Sequence, residues 1–315
     1  MSADIRVGVI GVGYLGRIHA KIYAKLPGIK LVGVADVDAA AAQAIADELG
    51  CEAFTNGEEL IGKVDAVSIV VPTIYHLETA KPFIENGIHI MMEKPITPTY
   101  EDSLTLVEMA EKAGIIFQVG FLERFNAGIM ALANRCKNPQ FIEAHRLSMF
   151  VERATDVDVI TDLMIHDIDI VLSLVDSEIV NVSASGLPVL TEHVDIANVR
   201  LEFANGAVAN VTASRVSNKK HRRIRVFEKN HYYGLNFEDQ QLEIASTRPQ
   251  DDNKRDEIIM EKPVIEPQMP LDAELIEFID SVKTGKKPLV DGRVGLEAIR
   301  VANLVRQSIL DSVKK

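Results

Sequence analysis

The 315-residue chain has no tryptophan, and aromatic residues of every kind make up only 5% of it. Extended stacking platforms for nucleobases or sugar rings are therefore not to be expected. Cysteine is nearly absent: Cys51 and Cys136 lie far apart, fit no metal-ligand spacing and read as inert thiols in a reducing compartment. No run of about 18 apolar residues is long enough to span a bilayer. No early apolar stretch carries a basic front and a small-residue cleavage site, so a cytoplasmic protein without a membrane partner is expected. Basic residues are outnumbered, 34 against 46 acidic ones, and the net charge of −12 argues against a nucleic-acid partner. Internal repeats and low-complexity segments are missing as well. What remains is 47% hydrophobic and 25% charged, an ordinary globular composition with length for about two domains.

The first third alternates strand and helix patterns. Residues 5–10 read as an apolar strand that runs straight into Gly11-Val12-Gly13-Tyr14-Leu15-Gly16, and residues 17–26 continue as a helix. G-x-G-x-x-G between a strand and a helix is a dinucleotide-binding turn. Gly11 permits the tight bend, Gly13 lets the backbone approach a pyrophosphate, and Gly16 allows close helix–strand packing. The helix N-terminus then offers N–H groups to the phosphates. Tyr14 and Leu15 fill the variable positions and join the cofactor-binding candidates. A second strand, 30–35, ends in Asp36, where a carboxylate can hold the adenosine ribose and would repel a 2′-phosphate. Residues 37–42 contain no Arg or Lys, so NAD is expected rather than NADP. Asp38 suits the cap of an Ala-rich helix over 39–49 and leaves Asp36 for the ribose.

The alternation continues with strands at 51–54, 66–71 and 115–119, a helical turn at 58–61 and helices at 76–86 and 100–113. Repeated βα units imply an α/β fold, a doubly wound parallel Rossmann sheet over residues 1–120. Within it stands Gly87-Ile88-His89-Ile90-Met91-Met92-Glu93-Lys94-Pro95. Such an apolar run is a strand buried on both faces, and ligands of open α/β sheets bind just past the carboxyl ends of such strands. By itself the Glu-Lys pair reads first as a solvated strand exit.

At these spacings, Gly11-x-Gly13-x-x-Gly16, Val71-Pro72-Thr73-x-x-His76, Gly87-x-His89 and Glu93-Lys94-Pro95 resemble the Gfo/Idh/MocA family, the group of glucose-fructose oxidoreductase, inositol dehydrogenase and rhizopine catabolism. The resemblance covers essentially the whole chain. It implies NAD(P)-dependent oxidation of a sugar or cyclitol hydroxyl, or the reverse reduction. It implies further that Lys94 hydrogen-bonds the reacting oxygen between substrate and nicotinamide, and that Pro95 follows a cis peptide. Pro72, Thr73 and His76 are then expected to line the nicotinamide side, although His76 also reads as a helix N-terminal residue with a local hydrogen bond. For Glu93 a supporting contact to the cofactor or to neighbouring backbone is expected.

From Phe121 the pattern changes, and residues 121–315 are expected to form an α+β domain for substrate binding and oligomerisation. A helix is expected over 124–134, a strand over 141–150 and a helix over 158–175. In the last, Ile160, Leu163, Met164, Ile168, Val171, Leu172 and Val175 form an apolar stripe. Asp158, Asp162, His166, Asp169, Ser173 and Asp176 form the opposite one. By pattern alone the polar stripe is the wet face of an amphipathic helix. The alternative is that Asp162, four residues before His166, orients the imidazole as the general base for a hydroxyl proton. Asp-x-x-x-His-x-x-Asp resembles the family's catalytic helix. That likeness implies catalytic roles for Asp162 and His166 beside Lys94, and a place at the substrate for Asp169; Arg124 and Arg215 are further substrate-binding candidates. Many members carry a glycine pair just before this helix; here the stretch is Thr155-Asp156-Val157-Asp158-Val159.

Strands expected over 179–185, 195–203, 207–214, 221–228, 232–236 and 241–245, with Asn205-Gly206 as a hairpin turn, make a large, mostly antiparallel sheet. Its uncovered face, and the resemblance, imply a homodimer or homotetramer. Arg215, Lys219, Lys220, Arg222, Arg223, Arg225 and Lys229 concentrate positive charge. They read either as partners of acids such as Glu202 or Glu228 at an interface, or as an anion site for the diphosphate of a nucleotide-sugar. The wording of 162–167 and 214–217 is most like family members that act on UDP-N-acetylglucosamine at C3. A helix over 271–281, following Pro263, Pro267 and Pro270, and a last helix over 295–312 carry no chemistry, and no metal site is expected. The expectation is thus an NAD-dependent dehydrogenase of a sugar, a UDP-sugar first. A free-sugar or cyclitol dehydrogenase and a non-catalytic NAD-binding regulator are the alternatives.

Overall fold

Parallel strands joined by helices must cross over in one hand, so each strand of such a sheet releases its chain at the same edge. A computed structural model describes residues 4–151, 157–250 and 255–313. The chain forms two units, residues 1–122 with 271–297 and residues 123–270 with 298–315.

The first unit alternates β1 (Ile5–Ile10), α1 (Tyr14–Tyr23), β2 (Ile29–Ala35), α2 (Ala39–Leu49), β3 (Glu52–Phe54), β4 (Ala66–Ile69), α3 (His76–Glu85), β5 (His89–Glu93), α4 (Tyr100–Ala113) and β6 (Phe117–Gly120). The six strands are parallel in the order β3-β2-β1-β4-β5-β6. Strand order reverses between β1 and β4, the point at which doubly wound sheets bind their ligands. Asp38 caps α2 by accepting from Ala40 N and Ala41 N, and Thr99 caps α4 by accepting from Asp102 N. Helix α1 starts at Tyr14 rather than at 17, because Gly13 itself takes the N-cap position. Val7, Val9, Val34, Ala66 and Met91 of the strands pack with Tyr23 and Ile45 of the helices and with Leu275, Phe278 and Ile279.

The second unit holds α5 (Ala127–Arg135), β7 (Phe141–Leu147), α6 (Ile165–Leu174), β8 (Ile179–Leu187), β9 (Ile196–Phe203), β10 (Val208–Ser214), β11 (His221–Glu228), β12 (His231–Asn236), β13 (Gln241–Arg248) and β14 (Glu257–Glu261). They form a sheet in the order β14-β13-β12-β11-β7-β10-β9-β8. Every pairing is antiparallel except β7 with β10. In β9, Ala197, Val199, Leu201 and Phe203 are buried while Asn198 and Arg200 face out, the period-2 pattern of a sheet covered on one face. Gly206 turns the β9–β10 hairpin at φ 85°.

Other elements also differ from expectation. The helix expected from 124 begins at Ala127, because the Asn126 side chain accepts from Gly128 N, and Arg124 sits in the preceding 3₁₀ turn Leu122–Phe125. The helix expected from 158 opens as a π turn, Ile160–Met164, before α6. Strand β14 was not among the expected strands; its Ile258 and Met260 are exposed, so it lacks the alternating burial that marks a strand. Thr155 and Asp156 of the stretch before α6 lie outside the described residues. Two helices complete the chain, α7 (Pro270–Thr284) and α8 (Gly292–Val313). From α8, Ser308 Oγ accepts from Ala184 N at 2.9 Å and so covers part of the free edge of β8.

Candidate active site

In the first unit the glycine turn is shaped by contact. A Cβ on Gly11, at φ 85°, would lie 2.7 Å from Val70 O, and one on Gly16 would lie 1.8 Å from Gly11 O. A Cβ on Gly13 would meet nothing within 4 Å. Gly11 and Gly16 are thus required by packing, whereas Gly13 faces open space. The first turn of α1 has no side-chain cap and no acidic residue, so its N–H groups and dipole suit an anion. Tyr14 and Leu15, both exposed, flank the opening. Asp36 Oδ2 accepts from Val12 N at 2.8 Å and Oδ1 from Asp38 N at 3.0 Å. These bonds fix the carboxylate beside the turn and leave each oxygen a lone pair for a ribose hydroxyl. A dinucleotide fits this cradle. Asp36→Ala is expected to weaken NAD+ about tenfold or more, the loss of charge-assisted hydrogen bonds, and to narrow the preference over NADP+; titration with each cofactor measures both.

Pro72 is exposed and Thr73 half-buried in the turn that leads into α3. His76 is buried, with Nδ1 3.1 and 3.0 Å from Pro95 O and Ile96 O and Nε2 2.9 Å from Val71 O. Two of its three contacts reach the turn after β5, so a purely local role is too narrow. Burial pushes the imidazole below its ordinary pKa, with the carbonyl contacts opposing. The Lys94-Pro95 peptide is cis, and Lys94 is half-buried at this strand exit. Glu93 ends β5 opposite Gly120, and its Oε1 lies 3.1 Å from His19 Nε2. Its partner among side chains is therefore a histidine of α1, a contact the sequence did not suggest. His19 falls on the buried face of α1, and nothing in the spacing of the motif points to it.

In the second unit Asp162 lies within the π turn and His166 in the first turn of α6. The polar stripe is a wet face only at its end: Ser173 and Asp176 are exposed, whereas His166 and Asp169 are buried, as is the neighbouring Asp167. Charges buried in this way need partners. Arg146 of β7 supplies one, with Nε 2.7 Å from Asp167 Oδ2, Nη2 3.0 Å from Oδ1 and Nη1 2.8 Å from Glu123 Oε1. Burial opposes the charge on Arg146, but Asp167 and Glu123 outweigh it and raise the net pKa. Arg124 Nη1 donates to Asp169 Oδ1 at 3.1 Å, while Asp169 Oδ2 has no hydrogen-bond partner among the described residues. Burial therefore pushes Asp169 up to about 7, with Arg124 opposing. Arg146, Asp167 and Glu123 were missed as site residues. The period of β7 could have flagged Arg146, since it shares the buried phase with Ile142 and Ala144.

Two outcomes follow from these pairs. Arg146→Ala leaves Asp167 and Glu123 buried without their cation and is expected to cost about 3–5 kcal/mol, read by urea unfolding. A carboxylic acid whose folded pKa is raised stabilises the fold fully below its unfolded pKa, and this contribution is lost as pH rises toward the folded value. The Asp169 contribution is accordingly expected to fall between about pH 4 and pH 7, and Asp169→Asn should flatten that part of the melting-temperature profile.

Arg215 is buried and donates from Nε to Asp195 Oδ1 at 2.7 Å, from Nη1 to Val157 O at 2.7 Å and from Nη2 to Thr191 Oγ1 at 3.0 Å. It ties the loop around 189–195 to the entry of the π turn. The rest of the basic cluster is largely ion-paired within the chain. Lys220 meets Glu238 at 2.6 Å, Arg222 meets Glu123 at 3.6 Å, Arg223 meets Glu243 at 4.0 Å, and Arg225 meets Glu143. The expected acids are engaged elsewhere: Glu202 pairs with Arg200, and Glu228 accepts from Lys137 N, Asn138 N and Tyr233 OH. Burial and Glu228 push the Cys136 thiol up to about 12, which leaves it no use as a nucleophile at neutral pH.

Comparison with known proteins places this geometry. Residues 5–121 match the oxidoreductase family with an NAD-binding Rossmann fold, Gfo/Idh/MocA, and residues 131–231 match the Gfo/Idh/MocA C-terminal domain. UDP-N-acetylglucosamine 3-dehydrogenase of Acidithiobacillus ferrooxidans is 36% identical over 310 residues, 97% of each chain. The chain belongs to the Gfo/Idh/MocA oxidoreductase family. A solved structure of the Acidithiobacillus ferrooxidans enzyme superposes with a TM-score of 0.92 at 35% identity, covering 98% of each chain. The scyllo-inositol 2-dehydrogenase (NAD(+)) of Bacillus subtilis is 33% identical over 236 residues, 69% of each chain. As a Gfo/Idh/MocA oxidoreductase, the protein carries its NAD-binding domain in the first unit.

Proposed function

We propose that this Gfo/Idh/MocA oxidoreductase oxidises a secondary hydroxyl of a UDP-sugar, UDP-N-acetylglucosamine at C3, to the ketone. The observation that carries the reading is identity of 36% along 97% of the chain with a UDP-N-acetylglucosamine 3-dehydrogenase. NAD+, when bound, supplies the hydride acceptor. Gly11, Gly13, Gly16 and the first turn of α1 hold the pyrophosphate, Asp36 holds the adenosine ribose, and Pro72, Thr73 and His76 border the nicotinamide. The Lys94 ammonium donates to the reacting oxygen and stabilises charge as it develops there. His166 takes the hydroxyl proton, and Asp162 orients its ring. The substrate thus loses a proton from oxygen and a hydride from the same carbon. Asp169 and Arg124 serve the substrate side, whereas Arg215 enters as the anchor of the 189–195 loop. The second unit binds substrate and, through its eight-stranded sheet, forms a cytoplasmic homodimer or homotetramer.

A second reading, a cyclitol or free-sugar dehydrogenase, draws on the similarity to the scyllo-inositol enzyme. Assay of NADH formation across UDP-N-acetylglucosamine, N-acetylglucosamine and inositols separates the two. Turnover that requires the UDP moiety supports the first reading, and a higher kcat/KM for a free polyol replaces it with the second. NAD+ binding without turnover on any of them leaves the non-catalytic regulator.

A further inference from the structure

Four polar side chains run in a line through the core of the first unit. Tyr23 OH lies 2.8 Å from Ser68 Oγ, Ser68 Oγ lies 3.2 Å from His19 Nδ1, and His19 Nε2 lies 3.1 Å from Glu93 Oε1. Tyr23, Ser68 and His19 are each 0% exposed, so no cofactor or substrate atom reaches them. Only Glu93 borders the strand exit from which Lys94 projects.

We propose that Tyr23, Ser68 and His19 form a one-way hydrogen-bond chain that ends on Glu93 and positions the Glu93-Lys94-Pro95 turn. The direction follows from counting protons. Among the described residues, Ser68 is the hydrogen-bond partner of the Tyr23 hydroxyl. Burial also holds the Tyr23 proton, raising its pKa well above the ordinary phenol value. A buried O–H with one partner places its proton there. Ser68 has then accepted from Tyr23 and places its own proton on His19 Nδ1. His19 is therefore the neutral Nε2–H tautomer, and Nε2–H donates to Glu93. The Glu93 carboxylate accepts this hydrogen bond through Oε1. The opposite strand leaves room for it: a Cβ on Gly120 would lie 3.0 Å from Glu93 Oε2. Tyr23, Ser68 and His19 are thus positioning residues, and their consequence for catalysis rests on the role proposed for Lys94 above.

Two measurements on the full chain decide it, and neither needs turnover. The first is the ring-nitrogen NMR spectrum of the ¹⁵N-histidine-labelled protein, with the His19 signal assigned by its loss in His19→Gln. The Nε2–H tautomer is expected at neutral pH; an Nδ1–H tautomer or an imidazolium overturns the proposal. The second is the rate at which acetic anhydride acetylates Lys94 at one fixed pH, read by mass spectrometry. His19→Gln, whose amide can still donate to Glu93, should keep the wild-type rate, and His19→Leu should change it about threefold or more, the equivalent of one lost hydrogen bond. Ser68→Ala provides the same test should His19→Leu not fold. Equal rates in wild type and the cut variants overturn the proposal. Failure of every sugar in the substrate panel would remove the dehydrogenase reading while leaving both results intact.

Discussion

His166→Gln is expected to lower kcat by about 10²–10⁴-fold, the range for removing a positioned general base, with little change in NAD+ affinity. His166 lies in the first turn of α6, and the residues just after it are anchored by Arg146 on Asp167 and by Arg124 on Asp169. Glutamine matches the polarity and approximate length of histidine and spares those anchors, so the fold should hold. What it cannot do is accept and carry a proton near neutral pH. The loss should therefore fall on kcat rather than on cofactor binding. Asp162→Asn should lose less, because it leaves the imidazole in place and removes only its orienting charge. The chain has no tryptophan, so NADH binding is best followed by the emission of the nicotinamide itself. A His166→Gln variant with wild-type kcat would remove His166 from the proton path.

Lys94→Met is expected to lower kcat by about 10²–10³-fold, the range for one lost donor to a developing oxyanion. Methionine keeps the unbranched stem and deletes the charge, and the cis Lys94-Pro95 turn and the His76 bridge to Pro95 and Ile96 do not depend on that charge. The split between parameters is diagnostic. An interaction made mainly in the transition state lowers kcat and kcat/KM together, whereas a ground-state contact raises KM alone. Lys94→Arg should recover little, since the planar guanidinium does not reproduce a compact ammonium donor.

Features built from neighbouring residues could be read from the sequence. The glycine turn, the Asp38 cap of α2 and the hairpin turn at Gly206 each depend on a few adjacent positions with a strict backbone or capping requirement. The six-stranded parallel sheet followed from the repetition of those units. What could not be read joins distant residues. His19 and Glu93 are 74 positions apart, and Arg146 and Asp167 are 21 apart. No local period records such pairs. The polar stripe over 158–176 was open to misreading for the same reason, because a buried charge and a solvated one share a pattern until the partner is placed. The π turn at Ile160–Met164 has no compositional signature either, and its wider spacing shifts the faces of the helix that follows. The partners of the basic residues at 215–229 could not be named for the same reason, because Asp195, Glu238, Glu123, Glu243 and Glu143, which neutralise five of them, come from other strands and loops.

The most direct test of the whole account is incubation of the protein with NAD+ and UDP-N-acetylglucosamine, following NADH and the mass of the sugar nucleotide together. The account predicts NADH formation matched mole for mole by a product two hydrogens lighter, with no reaction when N-acetylglucosamine replaces its UDP conjugate. Reduction of NAD+ by inositol or a free sugar, with UDP-N-acetylglucosamine left intact, would contradict it.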